Sequence, residues 1–131
     1  DFFLKYKNDV LQIIVKISSN LPCPICSQHA KLVTSKQNLK LIKDKKDLIK
    51  FLNFFHNTVN IRNGKKLFDM KDMDKYKNVN FKIAIHNFLI FYTKSYNTSS
   101  FQLSLDASQT TRRRIAKSLT NWLTKYWTFL N

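Results

Sequence analysis

One glycine and two prolines in 131 residues are too few for a turn-rich β architecture, which needs many residues that tolerate positive φ or a fixed φ. Glutamate is absent, so aspartate supplies all 8 carboxylate side chains. Long apolar runs are missing as well. The most apolar window, FKIAIHNFLIFY at 81–92, contains Lys82, His86 and Asn87 and falls short of the roughly 20 residues that span a bilayer. Lys5, Lys7 and Asp9 interrupt any secretory signal, and a soluble protein is expected. The chain opens on Asp1 rather than Met, as a processed form or a fragment does.

What is present is a core's worth of apolar residues, 44% of the chain with 14% aromatic, enough for one compact unit. The 23 Lys and Arg against 8 acids give a net charge of +15, which attracts polyanions. An AT-rich coding sequence produces the same excess of Lys and Asn without selection for nucleic acid.

Phe3, Tyr6, Val10, Ile13, Ile14 and Ile17 recur at helical spacing and predict a helix over 1–20, stopped by Pro22. A second helix restarts near Pro24, since proline suits a first turn. A third begins at Asp44 or Asp47, carries Leu48, Phe51, Leu52, Phe55 and Val59, and ends at Gly64. Another, opened by Asp72 or Asp74, carries Met73, Tyr76, Ile83 and Ile90 to about Tyr96. NTSS at 97–100 reads as a linker. Beyond it, Ser108 or Thr110 caps a last helix with Ile115, Leu119, Trp122, Leu123, Tyr126, Trp127 and Leu130 on one face. Arg112, Arg113 and Arg114 then fall in a first turn whose dipole opposes them, and are expected in solvent or facing an anion. The expectation is an all-α chain: a small four-helix-bundle domain over 1–97, and a linker with a helical extension over 98–131.

The only cysteines lie in LPCPICSQHA, residues 21–30. Zinc is one reading, through Cys23, Cys26, His29 and His56, although the spacing brings no second tight pair. A redox couple is another, because a helix start stabilises a thiolate on its first cysteine. Two buried thiols packed as small hydrophobes are the third.

A second constellation, HNTVNIRNGKKLFD at 56–69, sets His56 and Asn60 one helical turn apart, with Asn57 beside them and Lys65 just past the end. These groups can stack on or hydrogen-bond a nucleotide. A helix gains nothing by burying them without partners.

The two stretches together resemble the Erv/ALR family of FAD-linked sulfhydryl oxidases, whose members show PCxxCxxH followed by HNxVNxxxxKxxFDC. Cys23, Cys26 and His29 fit the first pattern; His56, Asn57, Val59, Asn60, Lys65, Phe68 and Asp69 fit the second. The form LPCPICSQHA is especially similar to the short oxidases of large DNA viruses. Resemblance covers residues 2–96. Met70 stands where the family often has a disulfide cysteine, and the chain begins after the helix with which the family usually opens. The Trp-rich C-terminal helix is then a candidate to cover that side of the flavin.

The resemblance implies a helical FAD-binding domain without a metal, with Cys23 and Cys26 catalytic. His29, His56, Asn57, Val59, Asn60, Lys65 and Tyr76 would hold the cofactor, Lys65 at a phosphate. A substrate dithiol would attack Cys23, and Cys26 would hand electrons to FAD and so to O2, giving hydrogen peroxide. Partners implied are protein dithiols or a thioredoxin-like shuttle, with a second copy of the chain permitted. The compartment expected is the cytoplasm of an infected host cell, or the virion. The rivals are a basic module gripping nucleic acid through Arg112–Arg114 and the Trp122, Tyr126, Trp127 face, and a scaffold that keeps a degenerate oxidase fold.

Overall fold

The structure, a computed structural model, describes residues 1–95 and 102–130, with side chains in the second segment from Ser108 to Thr128. Helices are α1 (Phe2–Ser18), α2 (Pro24–Lys36), α3 (Lys45–Arg62), α4 (Phe81–Thr93) and α5 (Gln102–Leu130), with short 3-10 turns at Leu39–Leu41 and Met70–Tyr76. There is no strand among the described residues, so the fold is all-α as expected. The expected linker and the boundary at 97 lie outside the described residues.

Each of the first four helices starts on a side chain that accepts an otherwise orphan N–H. Asp1 accepts from Phe3, Cys23 from Cys26, Asp44 from Asp47 and Asn80 from Ile83. α3 ends as its sequence promises. Gly64 takes φ +64°, its N–H donates to Ile61 O at 3.1 Å, and the Lys65 N–H donates to Asn60 O at 2.8 Å. This pair of bonds is the Schellman closure, and it turns the chain back along α3.

Two helix starts differ from expectation. Asp72 and Asp74 do not open α4; they lie inside the 3-10 turn, paired with Lys75 and Lys77, and the helix waits for Asn80. Asn78, Val79 and Asn80 are poor helix formers, and the helix is interrupted there although the apolar period runs on through them. α5 begins at Gln102, so Ser108 and Thr110 are interior rather than caps. The three arginines are therefore in mid-helix.

The core joins Phe3 and Leu11 of α1 to Ile42, with Leu48 and Phe51 of α3 packed against them. α1 also packs on α2 and α5, and α4 packs on α5. The ring of Tyr126 lies 4.3 Å from that of Tyr6 and 5.7 Å from that of Phe2, Trp122 lies 6.0 Å from Phe2, and Trp127 stacks on Phe81 at 5.8 Å. Rings at such separations add attraction beyond their buried area. The aromatic face of α5 is thus engaged with α1 and α4. Its spacing coincides with that of the buried Leu119 and Leu123, so the rings face inward with them. Among the described residues no helix is long and apolar enough to cross a membrane.

Arg112 departs furthest from expectation: it is 1% exposed. Its Nε donates to Tyr92 O at 2.8 Å, Nη2 to Lys94 O at 3.1 Å and Nη1 to Ser108 Oγ at 2.7 Å. Gln109 Nε2 donates to Thr93 O at 3.1 Å. α5 therefore caps the last carbonyls of α4 with side chains, and the guanidinium meets the negative end of that helix dipole. Arg113 and Arg114 point out. Arg112→Ala is expected to lower stability by about 3 kcal/mol in urea denaturation, against at most ~0.5 kcal/mol for Arg114→Ala.

The Tyr92 hydroxyl is buried without a hydrogen-bond partner, and burial pushes its pKa up to about 12, with the Arg112 charge opposing. The folded state holds this proton more tightly than the unfolded chain, whose tyrosines titrate near about 10. Stability from this group is complete below the unfolded value and falls as pH rises through the folded one. Tyr92→Phe should flatten the loss of stability between about pH 10 and 12, followed by chemical denaturation across that range.

Candidate active site

The site begins at an elbow. Pro22 and Pro24 bracket Cys23, which takes an extended conformation (φ −91°, ψ 114°) as the cap of α2. Buried Ser27 fixes the elbow from below: its Oγ accepts the Leu21 N–H at 2.7 Å and donates to Leu21 O at 3.1 Å. Cys23 and Cys26 form a disulfide, with Cα atoms 5.1 Å apart, and Cys23 Sγ accepts the Cys26 N–H at 3.2 Å. Both cysteines are exposed, and Ile25 between them is 62% exposed. Sulfur at the positive end of a helix is placed where a thiolate is favoured.

The buried-thiol and zinc readings of the pair do not describe this geometry. The sulfurs are exposed and bonded to each other, and among the described residues no three His, Cys or Asp side chains gather as a metal site. His29 is half-buried one turn past Cys26, while His56 is exposed on α3.

The second constellation is a folded unit of its own. Asn57 Oδ1 accepts the Phe68 N–H at 2.8 Å, and Asn57 Nδ2 donates to Phe68 O at 3.0 Å, so the side-chain amide pairs with backbone as a neighbouring strand would. Asn60 is buried and donates to Asn57 Oδ1 at 3.3 Å. These bonds satisfy the polar strip whose burial needed partners. Val59 is half-buried and Lys65 exposed. Tyr76 is exposed, its ring 5.8 Å from that of Phe68.

Between Asn57 and residues 66–72 an open cleft of about 550 Å³ remains. At its rim the Lys71 backbone N–H, and then its side chain, hold the Asp69 carboxyl below the usual carboxylate range. On α3 itself, Asn53 lies one turn before Asn57. Its Oδ1 is buried without a donor.

Two residues outside the expected set shape the site, and one of them, Arg62, connects its halves. Arg62 Nη1 reaches Ile25 O at 3.5 Å, the outer limit of a hydrogen bond, and brings the end of α3 beside the disulfide. Ser27 holds the elbow. Neither carries a sequence signal beyond adjacency, Ser27 to Cys26 and Arg62 to the Asn60 turn.

Asn57→Ala would strand the Phe68 backbone N–H and carbonyl. It is expected to cost about 2 kcal/mol and to speed amide exchange at Phe68, measured by NMR, while leaving Arg112 and the α4–α5 contact undisturbed.

No curated protein and no solved structure matches the chain. A family model does match, over residues 4–82, which include most of α1, all of α2 and α3 and the loop that Asn57 pins, and its description is the Erv1 / Alr family. Spanning both motifs and more than half of the sequence, that match places the protein: the chain belongs to the Erv1/Alr family.

Proposed function

We propose that the protein is a sulfhydryl oxidase that forms disulfides in protein dithiols through Cys23 and Cys26, with FAD as its cofactor. The observation that carries the reading is the exposed Cys23–Cys26 disulfide at the start of α2. Family membership supports it, since Erv/ALR proteins are thiol oxidases that generally bind FAD.

The residues present fit a dinucleotide. Asn53 Oδ1 lacks a donor, which an adenine amino group or a ribose hydroxyl supplies. Asn53, His56, Asn57 and Asn60 share one face of α3 by helical spacing. Both polar atoms of Asn57 already hold Phe68, so one amide hydrogen is left to it, and its main share is to hold the loop. Lys65 follows that face with a free ammonium for a phosphate. Val59 offers an apolar wall, and His29 and Tyr76 offer ring edges.

In the thiol half-reaction a substrate thiolate attacks Cys23 Sγ, forming a mixed disulfide and releasing Cys26 as a thiolate. The first-turn N–H groups of α2 favour that charge. The second substrate thiol then attacks its own sulfur in the mixed disulfide and expels Cys23. Substrate leaves as a disulfide, and both cysteines are left reduced. FAD, when bound, supplies the two-electron acceptor that reoxidises the pair and passes the electrons to O2 as hydrogen peroxide.

The purified chain supplied with FAD should show flavin absorbance and consume O2 in the presence of dithiothreitol. Cys26→Ser is expected to abolish O2 uptake with flavin still bound. Lys65→Ala is expected to weaken FAD retention by about tenfold while thermal stability stays near that of the parent. Undiminished O2 uptake by Cys26→Ser would sink the role given to that sulfur.

A further inference from the structure

Among the described residues, the acids of this protein have partners away from its disulfide. Asp1 and Asp44 cap helices, and Asp1 also pairs with Lys45. Asp47 Oδ2 accepts the Lys43 N–H. Asp69, Asp72 and Asp74 lie in the 3-10 turn, paired with Lys71, Lys75 and Lys77, and Asp9 faces Trp122. The stretches 10–43 and 48–68, which carry the disulfide, all of α2 and the α3 end beside it, contain no acid.

The same stretches carry Lys31, Lys36 and Arg62, all exposed, and no carboxylate among the described residues pairs with any of them. Apolar side chains stand out among these cations. Ile25 is 62% exposed between the cysteines, Leu32 is 52% exposed two turns along the same face of α2, and Ile61 beside Arg62 is 66% exposed.

We propose that this surface selects its substrate by charge: the Cys23–Cys26 disulfide exchanges with acidic protein dithiols, segments whose two thiols are flanked by aspartate or glutamate and carry an apolar side chain to meet Ile25. The proposal rests on the redox role given to the pair. The unbalanced cations raise the encounter rate of an anionic segment, and they favour the attacking thiolate over the thiol. Acidic flanks raise a substrate's own thiol pKa, and the cationic surface offsets that on contact. The step balances as ordinary exchange: one disulfide breaks on the protein and one forms on the substrate, and two electrons and two protons end on Cys23 and Cys26.

The test uses the FAD-supplied full chain in its oxidised form and two synthetic dithiol peptides that differ only in aspartate or lysine flanks. Single turnover is run without O2, quenched by alkylation and read by mass as the oxidised peptide formed, so electrons that leave the Cys23–Cys26 pair are still counted. Each rate is divided by that peptide's rate with hydroxyethyl disulfide, removing the peptides' intrinsic difference in thiol pKa.

The aspartate peptide should be faster by about tenfold or more at ~10 mM ionic strength, with the two converging near ~1 M. The double variant Lys31→Gln/Lys36→Gln should narrow the gap, and should slow exchange by dithiothreitol, whose one charge is the attacking thiolate, less than exchange by the aspartate peptide. Equal normalised rates at low salt, or a faster lysine peptide, overturn charge selection even if dithiothreitol still drives O2 uptake. Selective exchange without O2 uptake supports charge selection and overturns the oxidase reading instead.

Discussion

An α-helix begins with N–H groups that have no carbonyl to meet, and in α2 this deficit is answered by sulfur. Cys23 is the cap, Pro24 removes one of the orphan donors by having none, and the Cys26 N–H turns to Cys23 Sγ. The chemistry of the pair follows from that placement. A serine or aspartate cap would satisfy the same N–H, but only cysteine adds a reversible bond to the third residue of the helix it caps. Ser27 extends the constraint backward by clamping Leu21, so the chain leaving α1 cannot relax without moving the disulfide.

A second constraint acts at the far end of α3. Gly64 and the two bonds of the Schellman closure reverse the chain, and the Asn57 amide then holds Phe68 as a strand would in a protein that otherwise has none among its described residues. Residues that suggest ligand contact by their polarity are also the scaffold of the loop that shapes the cleft. Asn57 directs its bonds along the chain, to Phe68, while Lys65 is exposed.

What could be read from sequence was local. Pro24 at a first turn, Asp44 as a cap and Gly64 past a helix end each act within a few residues, and each appears where its neighbours place it. The starts of α4 and α5 were misplaced because apolar periodicity runs through KNVN and because Ser108 and Thr110 are acceptable caps that the fold does not use. Cys23 and Cys26 were legible as a pair by spacing. The pairing of Asn57 with Phe68 was not, although both belong to one motif, since nothing in spacing says that a side chain will act as backbone. Arg112 was the least legible. Its burial depends on the end of a helix about 20 residues earlier, and charge alone argued for solvent.

That same dependence gives the protein an order of assembly. Among the described residues, the carbonyls of Tyr92, Thr93 and Lys94 meet side-chain donors from α5, which follows α4 along the chain. During synthesis the cysteine-capped elbow and the α3 loop have all their bonding partners available before α5 is made, whereas α4 must wait. A nascent chain halted between the two helices would therefore hold its chemical centre in place with one frayed helix, and translation of α5 is the step that caps it.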